Sequence, residues 1–236
     1  MRTLLTAFLL GSLGANSGQA QVPLAADKPD FSGIWRRVGY QPAALPDGGK
    51  PLPLLPAAAA TLAAHQAAAS RGDRSHDLSA LCLPEGLPRL MLKAEPFEVL
   101  QRPGFLAFNY QINRLSRLAY IGEAPPEENN GFYLGESTAR WEGDSLVIDT
   151  RGFNDQTLLD DAGLPHSDAL VLTERLQLSK EGRELVNQIT VQDPRTFSAA
   201  WTITVRYERL KDFLMPEDVC ADRLGSTAPR DRRTEP

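Results

Sequence analysis

The chain has 236 residues, of which 42% are hydrophobic and 23% are charged, and its formal net charge is −5. These proportions are typical of a globular domain. The acidic excess argues against nucleic acid as a partner, because that kind of binding needs cationic side chains to neutralise phosphates.

The first 20 residues have the pattern of a secretory signal peptide. Arg2 supplies a positive charge, residues 3–15 are almost entirely apolar, and the small residues Gly18 and Ala20 occupy the positions before the expected cleavage point. We predict cleavage after Ala20 and a periplasmic or secreted product. A membrane anchor is the less favoured alternative, because the apolar stretch is shorter than the ~20 residues that span a bilayer. No later segment is long and apolar enough to span one either, so no transmembrane segment is expected.

Removing 20 of the 236 residues leaves 216, a length that fits one β-rich domain. We divide the chain into a signal peptide at 1–20, a Pro/Ala-rich arm with a short helix at 21–80, a β-barrel domain at 81–222 and a disordered polar tail at 223–236.

The arm contains one predicted strand and one predicted helix. Residues 31–36 read as the strand, while the prolines around them favour extended chain because proline lacks an amide donor. Residues 57–69 are predicted to form the helix, which Pro56 opens. Since this helix has little apolar bulk, we expect it to pack loosely outside the main core, as a lid or spacer, with His65 facing solvent.

Beyond the arm, short runs of β-branched and aromatic residues alternate with turn residues, which predicts strands. The pairs Pro103-Gly104 and Gly143-Asp144 predict two tight hairpins. The predicted strands are 97–102, 105–111, 113–121, 137–142, 145–150, 169–178, 184–192 and 201–210. The last is the clearest, because apolar and polar residues alternate along it.

These segments add up to about eight or nine strands, joined mostly by hairpins and without a helix long enough for a parallel crossover. The sequence therefore predicts an all-β fold, an antiparallel β-barrel of lipocalin-like type with one short N-terminal helix. Closure of a barrel removes exposed strand edges. A β-sandwich is the alternative.

The two cysteines, Cys82 and Cys220, are predicted to form a disulfide, because thiols tend to pair in an oxidising compartment. Closing so long a loop would stabilise the fold by about 4 to 5 kcal/mol in the chain-entropy description. The alternative is a catalytic or metal-binding thiol, but neither cysteine has another Cys or a His within a few residues.

Polar residues are concentrated in the segment 140–175. Their order is Arg140-Trp141-Glu142-Gly143-Asp144, Gly152-Phe153-Asn154-Asp155, Pro165-His166-Ser167-Asp168-Ala169-Leu170 and Thr173-Glu174-Arg175. This series of motifs resembles a largely uncharacterised family of exported bacterial β-rich proteins, and the resemblance covers most of residues 82–220. It implies kinship without implying an activity. Leu158 stands where relatives carry Trp, which implies a different ligand if that position lines a pocket.

His166 is the first candidate for catalysis, because imidazole acts as a base or an acid near neutral pH. Asp155 and Asp168 are candidates to orient its ring. The alternative is that His166 and Asp168 only cap a loop before the next strand.

Glu174 is the third acidic candidate. On its predicted strand it shares a face with Leu170, Leu172 and Leu176, so we expect it to point into the core. A carboxyl there needs a partner or a proton, and a protonated one is suited to acid–base chemistry. The alternative is a structural salt bridge to Arg114 or Arg140.

Five further residues are candidates for substrate binding, namely Tyr110, Arg114, Tyr120, Asn154 and Arg175. For the first three, half-buried packing is the alternative. We predict neither a cofactor nor a metal, because the chain lacks the glycine-rich phosphate and dinucleotide loops and the His-Glu-x-x-His motif.

The favoured function is an exported, cofactor-independent enzyme that acts on a small organic molecule, aromatic ones included. It would use His/carboxylate acid–base chemistry as a lyase, isomerase or hydrolase. The alternatives are a lipocalin-like small-molecule binding protein and a structural module of the cell envelope. No oligomeric state is predicted.

Overall fold

The computed structural model describes residues 28–124, 126 and 129–223. The predicted signal peptide at 1–20, and the predicted tail beyond residue 223, lie outside the described residues. Nine strands form a closed barrel. They are β1 (Gly33–Arg37), β2 (Phe97–Arg102), β3 (Phe105–Tyr110), β4 (Ser116–Ile121), β5 (Glu136–Glu142), β6 (Ser145–Arg151), β7 (Val171–Ser179), β8 (Glu184–Gln192) and β9 (Trp201–Leu210).

The helices are short. They are α1 (Pro56–Ser70), α2 (Cys220–Arg223) and the 3-10 turns Asp47–Gly49, Leu78–Leu81, Arg89–Leu92, Ile112–Arg114 and Lys180–Gly182. The predicted helix is confirmed as α1, and Ala58 is its only buried residue, as expected for a helix that packs loosely. In the described part of the chain, no helix has the length and apolarity that crossing a membrane demands.

The all-β barrel is confirmed, and β2, β8 and β9 coincide with their predicted bounds. β1 lies within the Pro/Ala-rich arm, so the barrel takes one strand from that arm. β4 begins three residues later than predicted, because Asn113 and Arg114 adopt positive φ angles of 52° in a turn that no strand accommodates.

One strand pair departs from the predicted antiparallel sheet. Eight of the nine neighbouring pairs described are antiparallel, but β4 and β5 run parallel, with Tyr120 opposite Thr138. The described residues of the connection between them, 122–124, 126 and 129–135, contain no helix. In this described part of the connection, the parallel pair lacks the helical crossover that is usual for such pairs.

The two ends of the barrel differ. Short turns close one end, at 103–104, 143–144 and 180–183. The long connections 38–96, 152–170 and 193–200 gather at the other end, which we call the capped end. The capped end is therefore where chain beyond the sheet is available to build a site.

A cluster of buried charges joins two of the long connections at the capped end. The Arg89 guanidinium is 3% exposed and donates to both carboxylate oxygens of Asp77, at 2.8 and 2.9 Å. It also donates to Asp161 at 2.7 Å, and the Lys93 ammonium lies 2.6 Å from Asp161 and 2.7 Å from Glu85. The cluster ties the segment before β2 to the connection between β6 and β7.

The predicted disulfide between Cys82 and Cys220 is confirmed, with Cα atoms 5.7 Å apart and a separation of 138 positions in sequence. It ties the end of the described chain to the segment that carries Arg89. A carboxylate oxygen of Asp218, two residues before Cys220, accepts the backbone N–H of Asn113 at 2.7 Å. The C-terminal segment is thus fixed at two points.

Glu174 points into the barrel, as predicted, but its partner is neither Arg114 nor Arg140. The Arg117 guanidinium donates to it at 2.6 Å and the Asn187 amide at 2.8 Å, and all three residues are buried. Arg114 is exposed in the turn before β4, and Arg140 faces outward beside Glu142. Neither of them reaches the interior, because Arg114 precedes β4, where Arg117 is the buried charged residue, and Arg140 is on the exposed face of β5.

Replacing Arg117 by Met should lower the free energy of unfolding by about 3–5 kcal/mol, because Glu174 would be left as a buried, uncompensated charge. Urea denaturation of the variant and the wild type measures this. The double variant Arg117→Met/Glu174→Leu should recover most of the loss, since an apolar replacement of a buried pair is often neutral.

Arg175→Met is the matched control, because it removes an exposed pair with Glu142. Its effect should be much smaller than that of Arg117→Met. Equal losses of unfolding free energy in the two single variants would show that the interior pair contributes no more to stability than the exposed pair does.

Candidate functional site

A pocket of about 520 Å³ lies at the capped end, between α1 and the connections 152–170 and 193–200. All three histidines of the chain line it. Its other polar lining residues include Asp155, Thr157 and Arg195. This volume falls in the range of small-molecule sites.

The His166 ring is held by both nitrogens and is 7% exposed. Its Nδ1 lies 2.9 Å from the carbonyl oxygen of Ser167, and its Nε2 lies 2.7 Å from Oγ1 of Thr157. A carbonyl oxygen only accepts, so Nδ1 carries the proton. In the neutral ring Nε2 then accepts the Thr157 hydroxyl.

Burial lowers the pKa of His166 below its usual value, against the opposing effects of the Ser167 hydrogen bond and the charges of Asp193 and Asp155. The ring is therefore neutral at pH 7. A neutral imidazole with a lone pair at Nε2 is a base in the form that accepts a proton.

Asp193 fixes the loop that holds this ring. Its carboxylate accepts the backbone N–H of Ser167 at 2.7 Å and the Ser167 hydroxyl at 2.8 Å. Burial raises the pKa of Asp193, but hydrogen bonds from Thr196 and Ser167 outweigh it and hold the pKa below its usual value. Sequence reasoning missed this residue as the supporting acid, because it lies 27 positions from His166.

Thr157 was also missed, although it is the direct partner of the His166 ring. Its side chain is 6% exposed and packs against the backbone of Gly86, where an added Cβ would lie 2.3 Å from Thr157 Oγ1. Gly86 has a φ of 79°, so both the space and the backbone conformation call for glycine. The only sequence signal was the position of Thr157 just after the Gly-Phe-Asn-Asp motif.

Of the predicted site residues near His166, one lines the pocket and two have other contacts. Asp155 lines the pocket with an exposed side chain. Asp168 is exposed and pairs with Arg195 at 2.5 Å. Asn154 stabilises a local turn, where its amide donates to the Gly131 carbonyl and its side-chain oxygen accepts the N–H of Gln156.

The other predicted site residues lie away from this pocket. Glu174 and Tyr110 are inside the barrel, and burial raises the pKa of the Tyr110 hydroxyl. On the outer surface, Arg114 pairs with Glu217 and Arg175 with Glu142, while Tyr120 faces solvent from β4. The structure does not bring these five to His166.

His65 and His76 stack on each other, with ring centroids 4.5 Å apart and planes inclined by 14°. The expectation that His65 faces solvent is wrong, because its ring is half-buried and its Nδ1 lies 2.8 Å from the Gly163 carbonyl. Burial and the adjacent His65 lower the pKa of His76. The stack joins α1 to the segment that leads to Asp77.

The described residues contain no group of three or more His, Cys, Asp or Glu side chains placed to hold a metal ion. Leu158 is among the residues that line the pocket. A scan against protein-family models finds no match for this sequence, and a comparison with curated proteins finds none either.

We expect the free energy of unfolding to decrease as pH falls from 7 to 5.5. The pKa values of His166 and His76 are lowered in the folded state, so the unfolded chain binds protons first, near pH 6.5, and protonation favours unfolding. Urea unfolding at a series of pH values measures the slope.

His166→Gln should flatten that slope, since glutamine keeps a hydrogen-bonding group but does not titrate. Asp77, whose pKa is lowered despite burial because Arg89 binds its carboxylate, affects only a more acidic range. A stability that rises toward pH 5.5, or a slope unchanged in the variant, would contradict the assigned neutral state of His166.

Proposed function

We propose that the chain is an exported enzyme that acts on a small organic molecule in the capped-end pocket, with His166 as its proton acceptor and donor. The observation that carries the proposal is the buried His166 ring, neutral and fixed in one tautomer, with Nε2 directed at a hydroxyl in the wall of the pocket. Such a ring meets the geometric requirement for a general base.

The surroundings also favour the protonated ring that forms during a reaction. The charges of Asp193 and Asp155 both act to raise the pKa of His166, so they stabilise the imidazolium once it is made. Of the carboxylates predicted from sequence, Asp155 keeps a role in this proposal. Asp168 and Glu174 are assigned none, because their oxygens are engaged by Arg195 and Arg117.

Export is part of the same proposal. The Cys82–Cys220 disulfide is typical of proteins in oxidising compartments. The predicted signal peptide directs the chain to such a compartment, the periplasm or the outside of the cell.

A passive binding protein is the second candidate, and the apolar part of the pocket favours it. Ala57, Ala58, Leu78 and Leu158 line one region of the wall. A ligand would lie here, outside the sheet, since the barrel interior is occupied by side chains such as Trp35, Leu106 and the Arg117–Glu174 pair. The lipocalin-like arrangement, with the ligand inside the barrel, is therefore less favoured.

The test is untargeted turnover of small metabolites by the purified exported protein, followed by mass spectrometry. His166→Gln should reduce turnover by about 10²–10⁴-fold, the usual contribution of a general acid–base group. In the wild type, kcat/KM should fall as pH is lowered through the pKa of His166.

Asp168→Asn is the matched control, because it changes an exposed carboxylate two residues from His166 and outside the proposed machinery. It should leave turnover near the wild-type level. Equal turnover by His166→Gln and wild type would remove the assignment of His166. Recovery of an enriched but unchanged ligand would favour the binding protein instead.

A further inference from the structure

We infer that Thr157 is a nucleophile and that the capped-end pocket transfers acyl groups, which makes the protein a hydrolase of small carboxylic esters. The inference rests on the proposed function and narrows it to one reaction class. It depends on the pairing of Thr157 with His166.

The hydroxyl of Thr157 is distinguished by its hydrogen-bond partner. Among the side-chain hydrogen bonds of the described residues, this hydroxyl is the one that meets an imidazole, at 2.7 Å. Other buried hydroxyls have different partners: Thr150 binds Arg117, and Thr196 binds Asp193. A hydroxyl gains nucleophilic strength when an adjacent base takes its proton, and a neutral imidazole is such a base.

The ring of His166, the proposed base, is held in one orientation. An activated nucleophile needs a base that a third group holds in the correct tautomer. Here the Ser167 carbonyl accepts the proton of Nδ1 at 2.9 Å, and Asp193 fixes Ser167 through two hydrogen bonds. A backbone carbonyl thus does what a carboxylate does in other nucleophile–base arrangements.

The side chain of Thr157 is held rigidly by its packing. Its Oγ1, Cβ and Cγ2 atoms lie so close to Gly86 that a Cβ there would come within 2.3 to 2.9 Å of all three. Close packing of this kind restricts χ1, so the hydroxyl is held toward Nε2 before any substrate arrives. Thr157 also lines the pocket, which gives a substrate access to it.

The reaction balances without a cofactor. His166 Nε2 takes the hydroxyl proton as Oγ1 of Thr157 bonds to the acyl carbon, the bond from that carbon to the alcohol oxygen breaks, and His166 returns the proton to the alcohol. Water then attacks the acyl-threonine while His166 takes its proton. The Thr157 oxygen leaves, is reprotonated, and a carboxylic acid is released.

The experiment uses a panel of p-nitrophenyl esters, from acetate to benzoate, with the purified exported protein. We expect a burst of nitrophenolate, and an acid quench followed by peptide mass spectrometry should place one acyl group on Thr157. Thr157→Val should abolish the adduct and reduce turnover by about 10³-fold or more. Thr157→Ser keeps a hydroxyl and should keep the adduct.

Thr204→Val is the matched control, since Thr204 lies on β9 outside the lining of the capped-end pocket and its hydroxyl donates to Asp47. It should acylate Thr157 normally. Urea midpoints for all variants separate loss of the nucleophile from loss of the fold.

Two results would overturn the inference. In the first, ester turnover depends on His166 but is unchanged in Thr157→Val, which leaves His166 as a base without a covalent step. In the second, no ester acylates the wild type, and acyl transfer is then excluded even if His166-dependent turnover of other compounds upholds the proposed function. Loss of that turnover for every compound tested would instead overturn the proposed function itself.

Discussion

The ion pair between Arg89 and Asp77 is the contact on which the capped-end pocket depends. The Arg89 guanidinium joins two separate segments, because it binds Asp77 in the segment before β2 and Asp161 in the connection between β6 and β7. The segment after α1 and the loop that carries His166 are thereby held in one arrangement. Buried pairs of this kind add little net stability compared with apolar packing, but breaking one is costly. The pair therefore acts mainly to select one geometry for the cap.

The same loop is fixed a second time, next to Asp161. The Asp160 carboxylate accepts the backbone N–H groups of Ala44, Ala162 and Leu164, at 2.8 to 3.0 Å. These bonds satisfy donors that a buried loop would otherwise leave unpaired. His166 follows two residues after Leu164, so its ring extends from a stretch of chain with little freedom. A site built on connections needs this support, because loops position side chains less accurately than strands do.

The sequence predicted best what depends on local pattern. Alternation identified β9 and the inward face of β7, including Glu174, and the number of cysteines identified the disulfide. Prediction from the sequence failed for features that depend on contacts between distant segments. On β4 the charged Arg117 points inward while Tyr120 points outward, a pattern that hydrophobicity alone assigns the other way round. His166 was found because imidazole is chemically distinctive, whereas its partners became visible only in three dimensions.

Buried ionisable groups occur both inside the barrel and at its capped end, but their hydrogen-bond partners differ. This difference distinguishes a group with a structural role from one that is available for proton transfer. In the barrel, Arg117 and Glu174 form an ion pair, and both side chains are almost fully buried. Among the described residues, the hydrogen-bond partner of His166 Nε2 is a neutral hydroxyl, that of Thr157, and the ring adjoins open space. Proton transfer requires a group that both binds and releases a proton; burial disfavours the imidazolium form of His166, and the nearby carboxylates oppose that effect. The barrel therefore serves as the rigid support, and reactivity is concentrated in the connections at its capped end.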